Sequence, residues 1–132
     1  MAEKSLIRGE IYRIMFPYTF DKNYPNGKLK YTLILQSGDY FKEYSTTVVL
    51  LITSNEEAKG LKHVVEIEKG TTDLPETSYI DCSQPYTIKK NIFFDRRVLF
   101  MGTLSPEKMD EVDEKLYLGL CMGTQNDSNS FD

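Results

Sequence analysis

Apolar residues in this chain come in short runs rather than long stripes. One run is Lys30-Tyr31-Thr32-Leu33-Ile34-Leu35-Gln36, and a second is Thr46-Thr47-Val48-Val49-Leu50-Leu51-Ile52-Thr53-Ser54-Asn55. Both are rich in β-branched residues and both have the length of buried strands. Each ends in small polar residues, which places polar groups at the rim of a sheet, on a rigid support. Partial alternation over Ser5 to Phe16 predicts a strand before them, and His63-Val64-Val65-Glu66-Ile67-Glu68 predicts one after. Ser78-Tyr79-Ile80-Asp81-Cys82 reads as a further strand that runs into Gln84-Pro85-Tyr86-Thr87-Ile88-Lys89-Lys90. Arg97-Val98-Leu99-Phe100-Met101-Gly102 reads as the last.

The breaks between these runs are explicit. Pro25-Asn26-Gly27 is a turn signal that closes a long Pro17 to Gly27 segment, and loops of that length in compact domains often carry function. Ser37-Gly38-Asp39 ends the first apolar run, Glu56 to Gly60 suits a loop or one helical turn, and Gly70 to Pro75 is a turn region. One helix is plain. Ser105 suits the N-cap, Pro106 the first helical position, and Glu107 the positive end of the dipole. Met109, Val112, Leu116 and Leu120 then form one apolar stripe, suited to core or dimer packing. Many strands and one terminal helix predict a mainly β (α+β) fold, a twisted antiparallel sheet closing toward a small barrel. Residues 1–122 are expected to form one domain, and the polar segment 123–132 a disordered tail.

Composition narrows the function. The chain has 132 residues, enough for one core, with 40% hydrophobic and 12% aromatic content, so it is globular. The net charge of −4 argues against a general nucleic-acid coat protein but permits a local basic groove. No run approaches the ~18 apolar residues of a membrane helix. Met1-Ala2-Glu3-Lys4-Ser5 leads into no apolar signal segment, so a cytoplasmic location is expected. Cys82 and Cys121 form no C-x-x-C pair and are expected as reduced, mostly buried thiols. A single histidine, His63, excludes a histidine-rich metal site.

Taken in order, the motifs resemble the MazF/PemK/Kid family of toxin–antitoxin ribonucleases. Arg8-Gly9-Glu10-Ile11-Tyr12 is similar to the family's opening strand. Gly27-Lys28-Leu29-Lys30 followed by Leu33-Ile34-Leu35-Gln36 resembles its Arg-Pro, apolar run and Gln signature. Val49 through Thr53-Ser54 resembles the strand ending in Ile-Thr-Ser, and His63-Val64-Val65-Glu66-Ile67 the His-Val-Glu-Ile strand. Asp81 through Ile88 resembles the Gln-Pro-Arg-Thr-Ile segment of the Kid branch, and Asp110 through Leu120 the last helix.

The resemblance implies a CcdB/PemK-type SH3-like barrel, a homodimer, a cognate antitoxin and cleavage of single-stranded RNA with no metal or cofactor. In that chemistry the ribose 2′-hydroxyl attacks the adjacent phosphate while donors and cations hold the developing charge. Thr53 stands where the family carries an active-site threonine. Lys30 stands at the family's key arginine, exchanging a bidentate fork for a point charge. Those two are the expected catalytic residues. Tyr86 stands at a Kid-type arginine and Lys89 at an aspartate, so the Kid acid–base pair is replaced. Tyr18, Lys22, Tyr24 and Lys28 interleave aromatic rings with cations, a pattern suited to single-stranded RNA. Gln36, Ser54, Gln84, Tyr86, Thr87 and Lys89 complete the expected RNA contacts. His63 is expected to be structural, and Arg8 to pair with Glu10. Three readings follow: a ribonuclease toxin, an RNA- or antitoxin-binding protein of the same fold with lost catalysis, and a gyrase poison in the CcdB manner.

Overall fold

A computed structural model describes residues 5–17, 22–23, 25–37 and 42–123. Seven strands form one antiparallel sheet: β1 (Glu10–Phe16), β2 (Lys28–Ile34), β3 (Thr46–Thr53), β4 (Val64–Ile67), β5 (Ser78–Asp81), β6 (Tyr86–Lys89) and β7 (Leu99–Thr103). The order is β4-β5-β3-β2-β1-β7, with β6 also on β3. Strand β3 is the hub. One edge carries β2, and the other carries β6 along Thr46 to Val49 and β5 along Ile52 and Thr53. Sharing one edge between two strands curls the sheet into a half-barrel, in keeping with the twisted sheet closing toward a small barrel that the sequence predicts.

The continuous apolar runs have a physical reason. Both faces of the β1–β2–β3 sheet are covered, so both side-chain sets must be apolar. On one face Ile11, Leu33, Leu50 and Ile52 pack with Val65, Ile67, Ile80 and the helix residues Met109 and Val112. On the other, Tyr12, Ile14, Phe16, Ile34 and Val49 pack with Ile88 and Phe93. Phe93 comes from a 3-10 helix, Lys90–Phe94, that the sequence pattern did not reveal. Its ring stands edge-on to Tyr12, with centroids 5.6 Å apart. Another 3-10 turn, Glu56–Ala58, occupies the expected loop or helical turn after β3.

Helix α1 (Pro106–Gly119) starts as the sequence dictates, with Ser105 Oγ accepting from the Lys108 N–H at 3.2 Å. Arg8 ties it to the sheet: the guanidinium pairs with Asp113 and donates to the Leu35 carbonyl at 2.9 Å. The expected Arg8–Glu10 pair is therefore not the partnership. Glu10 instead accepts from the Ile7 N–H and the Tyr12 hydroxyl.

Element ends depart from the pattern in several places. The first strand begins at Glu10 rather than Ser5, because Arg8 and Gly9 form a turn with Gly9 at φ +96°. The second runs from Lys28 to Ile34, two residues earlier than the apolar run suggests. The helical stripe ends early: Met109 and Val112 are buried, Leu116 is partly buried, and Leu120 is exposed at the C-cap. Cys82 is buried as expected, whereas Cys121 is exposed beyond the helix end, where no core reaches it. The tail from residue 124, with Tyr18 and Tyr24, lies outside the described residues. Among the described residues, no helix is long and apolar enough to cross a membrane.

Candidate active site

The β2–β3 ladder pairs Ile34 with Val49, Leu33 with Leu50, Thr32 with Leu51 and Tyr31 with Ile52. One further step of that register sets Lys30 across from Thr53. Directly opposed residues of an antiparallel pair share a face. Alternation fixes which face it is. Val49, Leu51 and Thr53 point the same way, and Val49 and Leu51 belong to the cluster of Tyr12, Ile14 and Phe93. Lys30 agrees from its other side, opposite Ile14 of β1. Alternation thus places the two expected catalytic residues on one face toward the rim of that core, with Lys30 half-buried and Thr53 exposed.

Strand β3 ends in a corner made by side chains. Thr53 Oγ1 accepts from the Asn55 N–H at 3.1 Å, and Asn55 Oδ1 accepts from the Glu57 N–H at 3.0 Å. The first bond is the local backbone satisfaction that any strand-end threonine can make. It also engages a lone pair and leaves the hydroxyl proton to be donated. A threonine held this way suits an anionic oxygen, and an ammonium beside it adds attraction. Ser54 is exposed next to it.

Tyr86 sits opposite Val49, on the same face. Its ring meets Phe16 edge-on with centroids 5.1 Å apart, and its hydroxyl donates to Gln84 Oε1 at 3.0 Å. Thr87 and Lys89 lie opposite Val48 and Thr46, so alternation turns both to the other face. Tyr86 and Gln84 therefore go with Lys30 and Thr53, while Thr87 and Lys89 do not. Lys28 is exposed at the start of β2, opposite Phe16, and Lys22 is exposed in the preceding turn. Gln36 lies at the far end of the ladder, roughly 20 Å from Lys30 at the rise of a strand. Its Oε1 accepts from the Val48 N–H at 3.1 Å, which continues the β2–β3 pairing.

Other polar residues are tied up in the fold. His63 Nε2 stands 3.6 Å from Asp81 Oδ1, and its carbonyl accepts from the Cys82 N–H. Burial, then the charges of Asp81 and Glu111, pushes the Cys82 thiol up to about 12, which leaves it protonated and poorly nucleophilic. Burial, then Glu10, likewise raises Tyr12 to about 12. Arg97 donates twice to Asp95, at 2.9 and 2.7 Å, and holds that carboxyl well below the usual range. Arg97 is therefore neutralised and adds little to the basic surface. Among the described residues, no three His, Cys, Asp or Glu side chains cluster to hold a metal ion.

Asn26, Asn91 and Phe94 were not anticipated as site residues. They line a groove of about 560 Å³ between the β1–β2 connection and the second 3-10 helix. Nothing in their spacing signals this, because the groove forms only when two distant segments meet.

Known proteins agree with this architecture. The chain resembles an endoribonuclease from a mycobacterial species at TM-score 0.66 and 18% identity, covering 91% of this chain and 95% of that one. A complex of such an endoribonuclease with its cognate antitoxin, also mycobacterial, matches at TM-score 0.65 and 18% identity, over 89% of this chain and 97% of that one. A MazE–MazF structure from Deinococcus radiodurans matches at TM-score 0.68 and 17% identity, over 92% and 100%. These likenesses are of fold. No curated protein sequence matches the chain. The family model of the PemK-like, MazF-like toxins matches residues 7–120, spanning the sheet, the corner at Thr53 and the helix. By that match the chain belongs to the PemK-like, MazF-like toxins of type II toxin–antitoxin systems.

Proposed function

We propose that this chain is an endoribonuclease toxin that cleaves single-stranded RNA without a metal ion. The observation that carries the proposal is that Lys30 and Thr53, on neighbouring strands, fall on one face. Attack by the ribose 2′-oxygen forms a new P–O bond and breaks the bond to the 5′-oxygen. The 2′ proton leaves to a base, the 5′-oxygen takes one up, and a 2′,3′-cyclic phosphate remains. Negative charge grows on the phosphate oxygens during attack. The Lys30 ammonium and the Thr53 hydroxyl stabilise it from a fixed support. DNA lacks the attacking hydroxyl, so RNA alone is cut.

Tyr86, held edge-on by Phe16 and hydrogen-bonded to Gln84, offers a stacking face beside the phosphate. Lys22, Lys28 and Ser54 supply backbone contacts along the approach, with Tyr18 and Tyr24 in the same connection. The fold family further supports a homodimer of one domain per chain, over residues 1–122, inhibited by a cognate antitoxin and acting in the cytoplasm. Solved relatives are described in complex with their antitoxins, which supports the antitoxin partnership.

A second reading rests on Lys30, Tyr86 and Lys89 replacing residues that carry charge chemistry in the family. On that reading the chain binds RNA or antitoxin without cutting. The experiment that separates the two is cleavage of a long unstructured RNA in EDTA by wild type, Thr53→Ala and Lys30→Arg. Cutting that is lost in Thr53→Ala supports the toxin reading. A folded wild type that cuts nothing, with Lys30→Arg equally inert, supports binding alone.

A further inference from the structure

Thr53 is exposed at a strand end, where its hydroxyl has several staggered rotamers open to it and catalysis needs one. The choice is made two residues further on. The Asn55 N–H donates to Thr53 Oγ1 at 3.1 Å, and a rotamer that turned the oxygen away would break that bond. With one lone pair engaged, the hydroxyl hydrogen points away from the Asn55 N–H and is left for an anionic oxygen.

The direction of that N–H is fixed in turn by the Asn55 side chain. Asn55 has extended backbone, at φ −67° and ψ 117°, and its Oδ1 accepts from the Glu57 N–H at 3.0 Å. Its carbonyl accepts from the Ala58 N–H at 3.1 Å. These two bonds clamp Asn55 between β3 and the 3-10 turn Glu56–Ala58. The turn is itself anchored: the Leu61 N–H donates to the Ala58 carbonyl, and the Val64 N–H, at the start of β4, donates to the Leu61 carbonyl. Strand β4 pairs with β5, and β5 returns to β3 with Tyr79 directly opposite Thr53. Tyr79 is buried, so β5 backs Thr53 with packed structure. The bonds therefore form a ring that starts and ends at Thr53. Asn55 is exposed and belongs to neither core cluster, so its side chain contributes through the corner.

We infer that Asn55 is a positioning residue of the ribonuclease site: its capping side chain fixes the N–H that turns the Thr53 hydroxyl toward the scissile phosphate. The inference rests on the ribonuclease reading for that phosphate. It places the effect of Asn55 on kcat rather than on RNA binding, and makes it act only through Thr53.

The test compares full-length wild type, Asn55→Ala, Asn55→Ser, Thr53→Ala and the double variant Asn55→Ala/Thr53→Ala. Cleavage of a long unstructured RNA in EDTA gives kcat and KM. Three-bond couplings to the Thr53 methyl carbon, measured by NMR on labelled protein, give its rotamer without any need for activity. Asn55→Ala is expected to lower kcat about fivefold to tenfold, the loss of one helix cap, with KM changed less than about twofold. Asn55→Ser, which keeps a capping oxygen, is expected to restore most of the rate. In the Thr53→Ala background the Asn55→Ala change is expected to have no further effect, because the group it orients is gone. The couplings should report one rotamer in wild type and Asn55→Ser, and an average in Asn55→Ala. A kcat for Asn55→Ala within about twofold of wild type overturns the inference. An equal fall in both backgrounds also overturns it, because Asn55 would then act on the fold at large. A folded wild type that cuts nothing removes the ribonuclease reading, and the couplings then decide. Averaging in Asn55→Ala upholds the orienting role of Asn55, and an unchanged rotamer overturns it.

Discussion

The two ends of the β2–β3 ladder are both finished by polar side chains, and the fold treats them differently. At one end Gln36 gives its amide oxygen to the Val48 N–H, so the side chain acts as one more rung of the sheet. At the other, Thr53 takes up the Asn55 N–H but keeps a proton to donate, with Lys30 across the ladder. Each side chain keeps a donor, the Gln36 amide NH2 and the Thr53 hydroxyl, so the difference between the two ends is the company: Thr53 shares its face with the Lys30 cation, whereas Gln36 continues the ladder.

The sharpest way to break this contrast is to delete each group. Thr53→Ala should lower kcat about 10²–10³-fold, the effect of removing one donor from a charged transition state, with little change in Tm. Cleavage of a long RNA and a thermal melt measure both. A Thr53→Ala protein that cuts at the wild-type rate would remove Thr53 from the site. Gln36→Ala should do the reverse. It leaves the Val48 N–H without its partner and should cost about 1–3 kcal/mol of stability, with kcat near wild type. Urea unfolding reads the first quantity and RNA cleavage the second.

Lys30→Arg tests the same end by addition. A guanidinium holds two phosphate oxygens where an ammonium holds a point, so cleavage should rise severalfold. A fall would show that the pocket is shaped for the shorter group. Ser105→Ala removes the cap of α1 and should cost about 1 kcal/mol in the same urea experiment, leaving cleavage unchanged.

A further effect is one of pH, and it concerns Cys82 and Tyr12. Cys82 is raised from 9.0 to about 12 by burial. The unfolded chain therefore releases this proton at lower pH than the folded one. The Cys82 contribution is fully present below about pH 9 and is lost as pH rises toward 12. Tyr12, raised from 10.0 to about 12, acts in the same direction. Stability should thus decline with rising pH across that window, and Cys82→Ala should flatten the decline. Cys121, exposed beyond α1, should react with an alkylating reagent in the native protein while Cys82 does not.

Legibility in the sequence followed the range of the physics. The apolar runs Leu33 to Leu35 and Val48 to Ile52 announced buried strands, and Ser105-Pro106-Glu107 announced the helix start, because both signals are local. The first strand was extended too far because the Ser5 to Gly9 pattern alternates, yet Gly9 takes a left-handed turn. The 3-10 helix was missed because Lys90 to Phe94 is too short for any periodicity. Arg8 was paired with Glu10 because they are close in sequence, whereas Asp113 is brought to it by the packing of α1. Among the proposed site residues, Thr53 and Lys30 come from motif order. The opposite facing of Thr87 and Lys89 followed only from the β3–β6 register.

By itself the sequence determined a mainly β chain with a capped terminal helix, a family, and a threonine–lysine pair as the centre of interest. Hydrophobic period, turn residues and capping chemistry act over a few residues and need no neighbour. The tertiary structure alone decided that β3 carries two strands on one edge, that Lys30 and Thr53 share a face, and that Gln36 bonds into the ladder. It also made the groove between two segments about 65 residues apart, at Asn26 and Asn91. Register and curl are set by packing both faces of the sheet at once, and no local stretch of chain contains that information.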